Sequence, residues 1–312
     1  MSEPLLQVEE LRVDYEDLTA VDDVSFSIDA GQVYGLIGPN GAGKTSIIRV
    51  IATLLEPTYG HVRVGGVDLV DEPLKVLPRV GFMPDFPPLY EDLSVFEFLD
   101  LFASAHGIAE NERRRRIEEL VALVQLTEKL NVEAGGLSRG MKQRLFLAKT
   151  LLHDPDVLLL DEPASGLDPR ARLELRDIII ALGKQGKAVL VSSHILSEMA
   201  DFCNSVGIME QGKMIVTGRI EDILQQLRPG RSLTVRLLRA DDRLGAALAA
   251  FPGVSAVQVD GPRASFKLTG EEKDAALLLR GLISQEFPVA DFHEQAGNLQ
   301  DIFLQVSTGR VS

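Results

Sequence analysis

One octapeptide constrains this 312-residue chain more than any other feature: Gly38-Pro39-Asn40-Gly41-Ala42-Gly43-Lys44-Thr45. It satisfies G-x-x-x-x-G-K-[ST] in full. It also stands in the required context, after VYGLI, which reads as a strand, and before TSIIRVIATLL, which reads as a helix. The glycines let the backbone curl so that consecutive N–H groups converge on phosphates, and the helix N-terminus adds positive potential. Lys44 is placed to reach the β- and γ-phosphates, and Thr45 to put its hydroxyl on Mg²⁺. The whole run from Gly38 to Ser46 is thus a candidate nucleotide-binding segment.

A second element fits the first. Asp161-Glu162 follows the apolar run VLLL, and ligands of open α/β sheets bind at the C-terminal ends of their strands. Asp161 is the expected holder of Mg²⁺, and Glu162 the expected base for an attacking water. A purely structural role, with both acids capping the turn at Pro163, is disfavoured because a second buried charge is costly. Further strands, AVLVSS (188–193) among them, alternate with helical stretches, and their continuous apolar runs predict a parallel sheet covered on both faces. VGIM (206–209) and KMIVTG (213–218), split by Gln211-Gly212, predict a closing hairpin. Residues 94–125 read as helical with a break near Gly107. The fold class is α/β.

Composition narrows the function. The net charge is −14, nearly all of it on residues 1–230, which argues against a nucleic-acid binder. The one basic cluster, Arg113 to Arg116, lies among acids in ENERRRRIEEL and reads as a salt-bridged helix face. A single cysteine, Cys203, leaves no intrachain disulfide and suits a reducing compartment. No apolar stretch approaches the ~20 residues that span a bilayer, and the N-terminus has no secretory pattern.

Arg228-Pro229-Gly230-Arg231 punctuates the chain, so residues 1–228 and 231–312 are expected to be separate domains. The second part reads strand SLTVRLL, helix DDRLGAALAAF, hairpin VSAVQVD and ASFKL around Gly261-Pro262, helix EEKDAALLLRGLIS, strand PVADFHE and a last helix NLQDIFLQV. That β-α-β-β-α-β order predicts a small α+β domain.

Over residues 5–228 the ordered motifs resemble the ATP-binding subunit of an ABC transporter. Leu137-Ser138-Arg139-Gly140-Met141 resembles the signature LSGGQ, with Lys142-Gln143-Arg144 continuing it. Ser165-Gly166-Leu167-Asp168 resembles the D-loop, and His194 in SSHIL the switch histidine. Tyr15 sits where the family places an aromatic that stacks on adenine. The resemblance implies a P-loop NTPase cassette of mixed sheet with a helical subdomain at about 86–155, and a head-to-tail homodimer with two ATP at the interface. It also implies an integral-membrane permease as a separately encoded partner, and a peripheral place on the cytoplasmic face of the cell membrane. The loop Asp85 to Tyr90, with apolar Phe86, Pro87, Pro88 and Leu89, and helix 94–106 are its expected contact surface. Catalysis is then assigned to Glu162, His194 and Lys44, with Asp168 and the second helix start at Ser138 and Gly140 serving nucleotide. The arrangement ending in DIFLQVSTGR resembles ABC-2 type subunits tied to export. The competing reading is a soluble ABC-type ATPase not coupled to transport. Against it, no long coiled coil separates Lys44 from Asp161, and only one phosphate loop is present.

The chain departs from the resembled pattern in two places, the loop after the strand residues Gly81-Phe82-Met83 and the signature. Asp85 stands after Gly81-Phe82-Met83-Pro84 where Gln is usual; a carboxylate accepts but cannot donate, so Asp85 is expected as a metal ligand. Arg139 and Met141 replace Gly and Gln of the signature, and Ser138 and Gly140 remain.

Overall fold

The computed structural model describes residues 3–85, 88–195, 199, 202–226, 231–270 and 272–294. The chain forms two compact units, Met1–Ile220 and Glu221–Ser312. In the first, a six-stranded sheet runs in the order β10-β9-β3-β8-β7-β6. Five of its strands are β3 (Val33–Ile37), β6 (Val80–Met83), β7 (Val157–Leu160), β8 (Ala188–Ser193) and β9 (Ser205–Glu210), with β6 at one edge. They pair in parallel, and β3, β7 and β8 are buried at every position, as their unbroken apolar runs predict. Antiparallel β10 (Lys213–Arg219) closes one edge through a two-residue turn. Gln211 and Gly212 there have φ of 49° and 81°, as a type I′ hairpin requires.

A second, antiparallel sheet has the order β2-β1-β4-β5, from β1 (Leu6–Tyr15), β2 (Leu18–Ile28), β4 (Tyr59–Val64) and β5 (Val67–Asp68). Its apolar face, with Leu6, Val8 and Ile28, shares one core with Leu36, Val157 and Leu190 of the first sheet and with Ile48 of α1 (Lys44–Ile51). That core fixes both ends of the phosphate-loop segment.

After the short α2 (Pro73–Val76), helices α3 (Val95–Ala105), α4 (Glu110–Leu123) and α5 (Arg139–Thr150) pack on one another. Ser94 and Glu97 form a reciprocal capping box at the start of α3. Phe98 meets both Phe102 and Phe146 edge-on, at 5.0 and 5.7 Å between centroids. Gly107, at φ 74°, separates α3 from α4. Of the four arginines on α4, Arg114 and Arg115 pair with acids one turn on. Arg113 instead reaches Asp100, and Arg116 donates to the carbonyls of Leu151 and Leu152 past the end of α5. The cluster is therefore half solvated face and half tether.

The second unit is an antiparallel sheet in the order β12-β13-β11-β14, from β11 (Arg231–Leu237), β12 (Val254–Asp260), β13 (Arg263–Leu268) and β14 (Val289–Glu294). Helices Leu244–Ala249 and Glu272–Ser284 give Leu244, Leu248, Leu278 and Leu282 to a core with Leu233, Val235 and Phe266. The order of elements is the β-α-β-β-α-β read from the sequence. The proposed last helix NLQDIFLQV, the linker residues 228–230, and Phe86 and Pro87 lie outside the described residues.

Candidate functional site

The loop between β3 and α1 is shaped by its glycines. Gly43 has φ 100°, and a Cβ there would run into the Ala20 carbonyl; a Cβ at Gly38 would run into that of Met209. No side chain caps α1 and no acid lies in its first turn, so its leading N–H groups are left for an anion. Lys44 is buried and folds back, donating from Nζ to the carbonyls of Gly38 at 2.7 Å and Pro39 at 3.2 Å. Its Nζ is 3.7 Å from Glu162 Oε1. Burial pulls the Lys44 ammonium below its ordinary range, and Glu162 and Asp161 oppose that pull.

The acidic pair stands at the end of β7. Thr45 Oγ1 donates to Asp161 Oδ2 at 3.0 Å, and Ser192 Oγ donates to Asp161 Oδ1 at 2.6 Å. Glu162 has a left-handed backbone, φ 48°, and its N–H is held by Ser192 Oγ at 2.8 Å. A non-glycine residue in that region signals strain that its surroundings must hold in place. Across the gap, His194 Nδ1 lies 2.8 Å from Glu162 Oε2.

Asp161, Glu162 and His194 line one cleft of about 450 Å³, together with Tyr15, Asn40 to Ser46 and Asp85, while Gly38 and Pro39 do not line it. Tyr15 is half-exposed, and its hydroxyl is 3.3 Å from Ser46 Oγ. Ser165, which opens the D-loop-like segment, completes the lining with Leu18 and Ala20, and those last two carried no signal in the sequence. Ser192, the first residue of SSHIL, has a role that spacing along the chain does not reveal. Ser138, Gly140 and Asp168 do not line the cleft of their own chain. Ser138 caps α5, its Oγ accepting from Met141 N–H at 3.3 Å. Asp168 caps α6 (Pro169–Lys184), accepting from Arg170 and Ala171 N–H, each at 3.0 Å. Gly140 is buried where a Cβ would press on Ala171 of α6, a packing reason for glycine that the motif alone does not reveal.

The fit to a divalent cation can be judged from the oxygens present. Thr45 and Asp161 supply hard oxygen donors at the phosphate end of the cleft. Asp85 Oδ1 is buried with no hydrogen-bond partner. Burial raises the Asp85 carboxyl above its ordinary range, and Asp161 and Glu162 raise it further. A cation there would relieve that repulsion. Among the described residues, no three His, Cys, Asp or Glu side chains converge into a metal cage. Thr45 and Asp161 suffice for Mg²⁺, which takes one or two protein ligands and completes its shell with water and phosphate.

The chain is similar to known proteins along most of its length. Residues 21–165 match the family model "ABC transporter", and residues 218–307 match "ATP-binding protein DrrA1-3-like, C-terminal domain". The chain is 34% identical over 303 residues to the uncharacterized ABC transporter ATP-binding protein YxlF of Bacillus subtilis (strain 168), covering 97% of this chain and 99% of that protein. It is 31% identical over 309 residues to the Nod factor export ATP-binding protein I of Ralstonia nicotianae (strain ATCC BAA-1114 / GMI1000), covering 99% and 95%. A solved ATP-binding subunit of an ABC transporter superposes with a TM-score of 0.64 at 35% identity, over 71% of this chain and 92% of that one. With its cleft, its motifs and these full-length likenesses in agreement, the chain belongs to the ABC transporter ATP-binding proteins, a family whose cassettes hydrolyse ATP to power transport.

Proposed function

We propose that the cleft binds Mg-ATP between Tyr15 and the Gly38–Ser46 loop and hydrolyses it at Glu162. The observation that carries this reading is the convergence of Lys44, Thr45–Asp161, Glu162 and His194 on one opening. Adenine stacks on Tyr15, while the loop amides and Lys44 hold the β- and γ-phosphates. Glu162 orients a water for in-line attack on the γ-phosphate and accepts its proton, and His194 fixes the carboxylate that does so. Thr45 and Asp161, with Asp85 beside them, would hold Mg²⁺, which would supply charge neutralisation on the phosphates.

Ser138, Gly140 and Asp168 stand outside this cleft, which supports a head-to-tail homodimer in which the start of α5 meets the nucleotide of the partner subunit. ATP binding closes that dimer and hydrolysis reopens it. No described helix is long and apolar enough to cross a membrane, so the account needs a separately encoded permease, with this subunit peripheral on the cytoplasmic face of the cell membrane. Exposed Tyr90 and Leu101, at the loop and helix expected to dock it, support that surface. The likeness to a Nod factor export ATP-binding protein favours export.

The test is Glu162→Gln. ATP binding should persist while turnover falls about 10²- to 10³-fold. With ATP present, a tagged Glu162→Gln chain should co-purify with a multi-span protein from detergent-solubilised native membranes. Recovery with soluble partners alone would refute the transport reading.

A further inference from the structure

Asp85 and Arg139, the charged departures from the resembled pattern, lie on different elements: Asp85 follows β6 and Arg139 opens α5. The fold brings both onto the walls of one open depression of about 340 Å³, beside Leu89, Lys142 and Gln143. Asp85 also lines the nucleotide cleft, so its carboxylate borders both cavities. The charges that act on it are Asp161 and Glu162 after β7, His194 after β8, and Arg139 on α5. Two of these repel it and two attract it. Of the two that attract, His194 is already engaged by Glu162 at 2.8 Å. Arg139 forms no ion pair within 4 Å among the described residues. Its guanidinium lies against Gly166, in the loop between β7 and α6, where a Cβ would overlap it.

We propose that Arg139 is a positioning residue, the counter-charge that lets Asp85 stand as a third carboxylate at the nucleotide cleft without repelling the substrate's phosphates. The inference rests on the ATP-hydrolysis reading above. Mg-ATP is itself an anion, and an unscreened Asp85 beside Asp161 and Glu162 raises the negative potential it must enter. With Arg139 in place the added charge is offset locally. The two departures are then one substitution in physical terms, each tolerable because of the other.

A double-mutant cycle in the full-length chain tests this, using Asp85→Asn, Arg139→Gln and the pair. The readouts are KM for Mg-ATP and the thermal midpoint of the nucleotide-free protein. With Asp85 present, Arg139→Gln should raise KM about five- to tenfold and lower the nucleotide-free midpoint. With Asn at position 85, the same change should move KM by less than about twofold and leave the midpoint in place. An equal effect in both backgrounds would overturn the pairing and assign Arg139 to its Gly166 contact. Lys44→Ala separates the two levels. If it hydrolyses ATP as fast as the parent, the hydrolysis reading falls and the pairing with it. If it is inactive while the cycle is additive, only the pairing falls.

Discussion

At Ser192 a hydroxyl with no solvent exposure donates to Asp161 and accepts the N–H of Glu162, so a single atom ties the proposed metal ligand to the proposed base. Ser192→Ala leaves a buried amide and a carboxylate oxygen each short of a partner, at a cost of about 1–3 kcal/mol. It also releases the strained φ of Glu162. We expect a lower unfolding midpoint in denaturant titration and a kcat reduced about tenfold with ATP binding retained. Unchanged unfolding and turnover would contradict the tie. The contrast with Lys44, Thr45, Asp161 and Glu162 shows what the sequence could reveal. Those residues were legible because their chemistry is packed into consecutive positions with a strand on one side and a turn or helix on the other. Ser192 acts across two parallel strands, and no spacing along the chain encodes that. Gly140 was legible as a motif position, but its contact with Ala171 was not.

At the scale of elements, α3 and α5 were readable because apolar residues recur at helical spacing and Ser94 and Ser138 announce their starts. How they attach to the sheet was not. One attachment is a stacked histidine pair: His106, ending α3, lies 4.3 Å from His153, which follows α5 and donates from Nε2 to the Val80 carbonyl of β6 at 3.0 Å. Burial of the stacked faces holds both imidazoles below the ordinary value of 6.5, and Lys149 adds to the effect on each. Lys187 and Arg116 also disfavour charge on His153, and its Nδ1 is buried without a partner. The unfolded chain therefore takes up protons near pH 6.5 that the folded chain resists. The contribution of this pair is complete above pH 6.5 and is lost as the pH falls below it. Thermal midpoints should drop between about pH 7 and 5.5, and His106→Phe, which keeps a ring on His153 and cannot be charged, should flatten that drop. An equally steep profile in the variant would remove the pair from the account.

For the whole molecule, the parallel sheet and the β-α-β-β-α-β order of the second unit followed from period and punctuation. The antiparallel sheet did not. Its strand β1 pairs with β2 and β4 through several register shifts, and Glu10 and Asp23 hold positive φ, so no clean alternation survives in the sequence. The order β12-β13-β11-β14 is likewise a property of pairing between distant segments rather than of any one of them. The largest step beyond a single chain is the dimer. Ser138 and Asp168 cap their helices at positions that do not line their own cleft, and the account gives them a nucleotide only in a second subunit. Sedimentation of full-length Glu162→Gln with and without Mg-ATP tests that most directly. The chain should sediment as a monomer without nucleotide and as a stable dimer holding two ATP with it. A chain that binds ATP and stays monomeric at every concentration would contradict it.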